Sequence, residues 1–479
     1  MSAAPLPVEG ARRAARRLAA GCVAGMALAS GASWLRYLLE RTPRLDTGTI
    51  PFLAAAFLAG LGICLAGWWS LRLAPVARAL GRAELLGLAV AVHLAAAPAL
   101  PLTSSDVYSY LAHGELQRLG RSPYLTPPSA LAGSPLLEGI PPRWAGVPSV
   151  YGPVVNLASR LAAGAGAALG HGWWGPLAAF KLLMAGCAIL AVVLAWAILR
   201  RRGPEGAGPF ALFATSPLVA WEISGQAHND GLVLLLVTVA AAALCARRRV
   251  GVCAASALAA CAKIPIAPLF ALALAAEARR SWRRAALLAL GGAAVAAAAV
   301  APYWRGAGTF RGSAAVLRGD AALHAHSLVD LICLCLGALG RADAAGAAWR
   351  ALGLASTALC VLALVWAAWR ARDAASVLRG FAVICLVWYL TTPWFQPWYA
   401  SWIMPLLLVE RDARWRRFVA LFGILAVAQW ILPLDPVSTV AVDAWAAWTL
   451  VHLLRSPAHE AGEDQVPEGQ LPPAVGYQP

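Results

Sequence analysis

A carboxylate stands where a long apolar run ends. Ser105-Asp106-Val107-Tyr108-Ser109-Tyr110 follows the stretch from about Ala83 to Leu102, in which His93 is the one ionisable residue after Glu84. That stretch is long enough to span a bilayer. An Asp at such a boundary stays hydrated enough to ionise while facing lipid headgroups, which suits chemistry on a lipid-carried substrate. The plainer reading makes Asp106 a helix cap, because Ser and Asp are favoured there. At helical spacing Asp106, Tyr110 and His113 share one face, with Tyr108 and Glu115 in the same segment. A helix lying at the interface can therefore present them together.

Three further segments place polar or aromatic groups at the ends of apolar runs. Gly225-Gln226-Ala227-His228-Asn229-Asp230-Gly231 is a short polar turn between two runs. A tight turn with Asn229 or Asp230 capping the next helix explains one polar residue there, not four in succession. Lys263 interrupts an apolar stretch together with Ile264 and Pro265, about 13 residues from the basic flank on either side. An intramembrane lysine is costly and functional by default, and snorkelling to the surface is awkward from that position. Thr392-Pro393-Trp394-Phe395-Gln396-Pro397-Trp398-Tyr399, with Trp402 beyond, reads first as an interfacial aromatic belt. Its two prolines stiffen the turn, so a sugar-stacking or lipid-guiding surface is the second reading.

The elements that must position these groups are membrane helices. Hydrophobic residues make up 60% of 479 and charged residues 13%, with mean hydropathy +0.67; a soluble chain carries about 25% charged residues. Apolar windows place spans near 18–39, 50–71, 84–102, 174–199, 208–224 and 229–246, and again near 283–302, 345–369, 377–392, 398–410, 415–433 and 438–454. Between Val250 and Glu277 both flanks are basic, which predicts two half-length helices forming a hairpin from the cytoplasmic side. Arg12–Arg17 before an apolar stretch has the look of a signal peptide, with small residues at Ala29–Ser33. The run continues to Leu39, so an uncleaved first span is preferred.

The net charge of +16 reports topology. Arginines cluster at 12–17, 72–82, 200–202, 247–249, 279–284, 370–379 and 411–417, each between expected spans. These are cytoplasmic by the positive-inside rule, with both termini inside and 103–173, 225–228, 303–344, 391–398 and 434–437 outside. Short clusters spread over many loops, with two lysines in the whole chain, point away from nucleic acid as a partner. All ten cysteines fall in apolar segments and none in the long outer loop, so no disulfide framework is expected. The polar, acidic, Pro-rich segment 456–479 is expected to be a disordered cytoplasmic tail. No internal repeat is visible. That weakens the alternative reading as a lipid-linked sugar flippase or transporter, whose charged sites sit at the midplane between corresponding halves.

Taken in order, the motifs resemble those of the polyprenol-phosphate-mannose-dependent α-1,6-mannosyltransferases, a family of the GT-C class. The resemblance rests on Asp106–Tyr110, Gly120-Arg121-Ser122-Pro123-Tyr124, Tyr151-Gly152-Pro153, Gly225–Asp230, Lys263-Ile264-Pro265 and Pro397–Trp402. It runs from about residue 83 to 410. The chain departs from the pattern in Trp394-Phe395-Gln396, which looks inserted before Pro397, and in its C-terminal tail.

The resemblance implies an all-α polytopic membrane protein. Its bundle would hold about 12–14 transmembrane helices, with interfacial helices in the first large outer loop, over a single transmembrane domain at 1–455 whose outer catalytic loop is about 103–173. It also implies inverting transfer of a hexose, mannose first, from a polyprenyl-phosphate donor to a glycolipid or glycan acceptor at the outer face of the inner (cell) membrane, with membrane lipid around it. Such a donor already carries its leaving group, so no metal and no other cofactor is expected. Asp106 would be the general base. Lys263 would meet the departing phosphate, with Arg311 and His324 as second choices. His228, Asn229 and Asp230 would hold sugar or acceptor hydroxyls, and Tyr108, Tyr110, Tyr151 and Trp398 would supply stacking surfaces.

Overall fold

The computed structural model describes residues 8–169, 172–317, 327–392, 395–431 and 437–455. His324, Pro393, Trp394 and the tail 456–479 lie outside the described residues, so the expectations placed on them stay where the sequence left them. Every element among the described residues is helical. The chain opens with α1 (Val8–Glu40) and α2 (Ile50–Leu73), which pack along each other, and then α3 (Arg82–Ala96). The outer loop supplies α4 (Asp106–Arg118), the single turn α5 (Pro142–Ala145) and α6 (Pro153–Leu169). Next come α7 (Trp174–Leu199), α8 (Ala207–Ala214) and α9 (Asp230–Cys245). The hairpin expected from the basic flanks is α10 (Arg249–Ala262) and α11 (Ala267–Ala278), joined through Lys263. The remaining helices are α12 (Trp282–Val300), α13 (Arg311–Leu317), α14 (Leu328–Ala338), α15 (Ala342–Arg370), α16 (Ala374–Thr391), α17 (Ala413–Ile431) and α18 (Val437–Arg455).

An all-α polytopic membrane protein is what the structure shows. Seven helices among the described residues are long and apolar enough to cross a membrane. Several other expected spans are broken, and proline is the cause. Pro98 and Pro101 end α3 early and leave an extended stretch before Asp106. Pro217 separates α8 from a wide π-type turn, Val219–Gly225. Pro397 and Pro405 hold the expected span 398–410 as a 3₁₀ helix over Pro397–Leu408. Apart from exposed Pro98, these irregular stretches are buried or half-buried in protein, which is the condition for irregular backbone at membrane depth. On α12 and α15, in contrast, Leu287, Leu290, Leu354, Leu362 and Trp369 are exposed apolar side chains of the kind that meet lipid tails.

α4 presents no continuous wet face. It is buried along most of its length between α6 and α7, and Glu115 and Arg118 form an ion pair of 2.7 Å at its exposed end. Gly114 lets the backbone of Ser159 on α6 come so close that a Cβ would collide with it. Gly152, ahead of α6, is held the same way against the carbonyls of Cys261 and Ala262 at the hairpin tip, and its N–H donates to Ala262 O at 3.2 Å. Gly152→Ala is therefore expected to push α6 off the hairpin. Overpacking of this kind costs about 1–3 kcal/mol, read as a lower midpoint of thermal unfolding in detergent and a lower yield of folded protein.

Candidate active site

Three breaks in regular structure converge: the extended stretch before α4, the turn before α9 and the tip of the α10–α11 hairpin. The first two are tied by Gln226. Its Oε1 accepts from the N–H groups of Leu102 at 2.7 Å and Thr103 at 3.1 Å, and its Nε2 donates to Leu100 O at 3.2 Å. The short polar turn is thus a buried clamp on the backbone leading to Asp106. Ala227 sits within it at φ 59°, a left-handed conformation rare for a residue with a side chain. Held strain of that sort gathers at functional sites.

Neither capping explanation describes these residues. Asp106 is the first residue of α4 and its N–H donates to Ser104 Oγ at 3.1 Å, while its carboxylate Oδ2 accepts from the Tyr110 hydroxyl at 3.3 Å. Asn229 precedes α9 without a side-chain capping bond. Asp230 is fully buried and accepts from Lys263 Nζ on Oδ2 at 2.7 Å and from Trp402 Nε1 on Oδ1 at 2.6 Å. Lys263 lies over the rings of Tyr399 and Trp402, 4.8 and 5.6 Å from their centroids. Three-residue repetition along the 3₁₀ helix puts those two rings on one side. The lysine is therefore compensated by a carboxylate and two aromatic faces, the kind of partnering a buried charge requires.

A cavity of about 900 Å³ opens against this assembly. Its polar end is walled by Asp106, Tyr151, Lys263, Trp398, Tyr399 and Trp402. Its other end runs between the hairpin and α12, past Ala257, Ala260, Phe270, Gly292, Ala293 and Val300, and is apolar. One chamber thus offers a carboxylate, an ammonium and aromatic faces at one end and hydrocarbon at the other. Asp106 keeps part of its surface open to the cavity while protein closes round the rest. That burial pushes its carboxyl above the ordinary range, against the pull of Lys263 and of hydrogen bonds from Tyr110 and Ser104. Burial raises the phenols of Tyr110 and Tyr151 well above their usual range, so both remain protonated donors.

The structure brings Asp106, Tyr110, Tyr151, Lys263 and Trp398 together; the Tyr110 and Tyr151 rings meet edge to face at 4.8 Å. Tyr110 stands off the cavity wall, and so do Tyr108, His228, Asn229, Asp230 and Arg311. Tyr108 points the opposite way from Asp106 and packs on Trp173 at 5.8 Å, because residues two apart face opposite sides of a helix. His228, Asn229 and Asp230 lie buried behind the wall, His228 stacked beneath Trp398 at 3.6 Å. Arg311 is exposed at the start of α13 and is not a wall residue. His113 is buried beside Tyr151, and burial lowers its imidazole to about 3, so it is neutral. Sequence reading gave Tyr399 no role beyond its place in the aromatic segment and passed over Glu222 and Arg143. Arg143, on α5, is the second cationic wall residue and is exposed on the cavity rim. Its placement next to Trp144 in a Pro-rich loop was the available signal. Among the described residues no group of three or more His, Cys, Asp or Glu is arranged to hold a metal ion.

The family profile described as alpha-(1->6)-mannopyranosyltransferase, N-terminal domain, matches residues 13–279. The chain belongs to the alpha-(1->6)-mannopyranosyltransferase family. Within that family it is 28% identical to alpha-(1->6)-mannopyranosyltransferase A of Mycobacterium tuberculosis over 409 residues, covering 78% of this chain and 73% of the relative. It is 33% identical to alpha-(1->6)-mannopyranosyltransferase B of Corynebacterium glutamicum over 140 residues, 28% of this chain and 22% of that one. The Corynebacterium glutamicum alpha-(1->6)-mannopyranosyltransferase A is 31% identical over 147 residues, 29% of this chain and 28% of the relative. No solved structure matches the chain. The matched profile covers the Asp106 segment, the clamp at Gln226 and the Lys263 hairpin, while the aromatic wall at Trp398–Trp402 lies beyond it.

Proposed function

We propose that this membrane mannosyltransferase moves mannose from a polyprenyl-phosphate donor to a glycolipid or glycan acceptor at the outer face of the inner membrane, in one inverting displacement. The observation that carries the reading is the single cavity walled by both Asp106 and Lys263 and continued by an apolar groove. Asp106 takes the proton of the acceptor hydroxyl as that oxygen attacks the anomeric carbon. The bond to the lipid phosphate breaks on the opposite face, and the phosphate leaves as an anion. An ammonium carries three donors; Lys263 spends one on Asp230, which aims it and leaves the others for the phosphate. Arg143 on the rim is a further contact for that charge. Trp398 and Tyr151 supply flat faces for the sugar, and the apolar end of the cavity suits an isoprenoid. Asp230, with both oxygens engaged, serves by holding Lys263, and His228 by backing Trp398 and Tyr110.

Activity should depend on pH with a definite sign. The base works ionised, and burial places its carboxyl above the ordinary carboxylate range, so transfer is lost as pH falls through that raised value and recovers above it. A profile of rate against pH, measured in detergent with donor and acceptor saturating, should show an acid limb above about pH 4. An acid limb at or below that point means the base is not a buried carboxylate.

The proposal is tested with membranes containing the overexpressed protein, supplied with radiolabelled polyprenyl-phosphate mannose and a panel of glycolipid and glycan acceptors. Label in an acceptor supports it. Label transferred only from another polyprenyl-phosphate sugar keeps the mechanism and discards mannose. Transfer from a nucleotide-linked mannose alone removes the lipid donor from the reading.

A further inference from the structure

Behind the cavity wall lies a buried carboxyl that the reaction as derived does not use. Glu222, in the π-type turn Val219–Gly225, is fully buried, and among the described residues neither of its side-chain oxygens accepts a hydrogen bond. Its Oε2 lies 3.3 Å from His228 Nε2. His228 Nδ1, on the other side of the ring, lies 3.4 Å from the Tyr110 hydroxyl, which is 3.3 Å from Asp106 Oδ2. Four side chains thus form an unbroken line from Glu222 to the candidate base.

Hydrogen-bond arithmetic assigns the protons along this line. Tyr110 has one hydroxyl proton, and an ionised Asp106 can only accept, so that proton goes to Asp106. His228 Nδ1 must then donate to the Tyr110 oxygen; full burial beside the Lys263 ammonium favours the neutral imidazole, which keeps a lone pair on Nε2. A carboxylate facing a lone pair in a dry pocket would be repelled and bare. A carboxylic acid there has room to turn its hydroxyl toward Nε2. The charged and titratable groups packed around the line are engaged elsewhere. Lys181 on α7 donates to Gly225 O; His93 on α3 bonds Ser224 Oγ at 2.8 Å; Arg36 on α1 pairs with Glu40 at 2.6 Å; Lys263 pairs with Asp230. Tyr151 faces Asp106 as a neutral phenol, and the Tyr399 ring lies under Lys263.

We infer that Glu222 is a positioning residue for this transfer: as a carboxylic acid it donates to His228 Nε2, keeps the imidazole proton on Nδ1, and thereby directs the Tyr110 hydroxyl onto Asp106. This rests on Asp106 as the base. No bond to substrate is involved, and Glu222 reaches the reaction only through the two side chains between.

The test compares Glu222→Gln with Glu222→Leu in the purified full-length protein. The Gln amide donates to Nε2 as the acid does, so Glu222→Gln should keep kcat within about threefold and leave the acid limb of the pH profile in place. Leu cannot donate. Glu222→Leu should lower kcat by about 10-fold or more at unchanged KM, and should move the acid limb up by about one unit as Asp106 loses an oriented donor. Spectra of 15N-histidine-labelled protein, with His228 assigned by its absence in His228→Gln, should show the Nδ1–H tautomer in wild type. Equal losses in Gln and Leu, an unmoved acid limb in Leu, or an imidazolium or Nε2–H tautomer in wild type would each overturn the inference. Full activity in Asp106→Asn removes the base reading itself, an outcome distinct from an inactive Asp106→Asn beside an unmoved limb in Glu222→Leu. The wild-type spectrum decides the matter even if Glu222→Leu fails to fold.

Discussion

Asp106→Asn should lower sugar transfer by about 10²–10⁴-fold, the range a positioned general base contributes. The expectation follows from how little else the substitution disturbs. An amide has the shape of the carboxylate and can still accept from Tyr110 and face Ser104, but it cannot take a proton from an attacking hydroxyl. Asp106 is the one carboxylate on the cavity wall among the described residues; Asp230 lies behind it with both oxygens occupied. The KM for the lipid donor should change little, because the phosphate is held by cations, and the variant should melt close to wild type. Undiminished transfer in well-folded Asp106→Asn would remove Asp106 as the base. The buried engagement of Asp230 then makes it a poor successor, and the acceptor's proton would have to leave through the donor phosphate.

Lys263→Ala should have the second largest effect, a fall in transfer of about 10²–10³-fold, comparable to losing one donor aimed at developing negative charge. Here the loss should be accompanied by instability. Removing the ammonium leaves Asp230 fully buried with Trp402 as its remaining donor, and breaking a buried pair in this way costs about 3–5 kcal/mol. The two effects separate in a cycle. Asp230→Ala should also destabilise, yet retain more transfer than Lys263→Ala, and the double variant should melt higher than the sum of the singles predicts. If Lys263→Ala and Asp230→Ala lose transfer equally while the pair behaves additively, Lys263 is a structural charge and not a phosphate contact.

The sequence by itself determined the class of the protein and the identity of its outstanding residues. Sixty percent apolar residues in long windows dictate a helical membrane bundle, because helices satisfy their backbone within one segment. The positions of α7, α9 and the α10–α11 hairpin were legible from run length and basic flanks. Asp106 and Lys263 stood out because charge at the edge of, or within, an apolar run is costly and needs a reason. The ordered motifs named the family, and the profile match over 13–279 agrees with them.

Tertiary structure decided which of these residues meet the cavity and which stand behind it. The segment 225–231 reads as an outward-facing polar turn in one dimension, yet Gln226 folds it over the backbone before Asp106 and buries it. Asp230 and Lys263 were expected to touch different parts of the substrate, and their mutual attraction across 33 positions makes them a pair. Tyr108 and Tyr110 are equivalent in composition but fall on opposite sides of α4. Glu222 bore the same mark, a charge inside an expected span, but its meaning comes from His228 in the next turn and from Tyr110, brought to it on another helix. Residue type and run length act locally and can be read along a chain. Pairing between buried charges depends on which helices pack together, and that is settled only when the apolar faces have found each other.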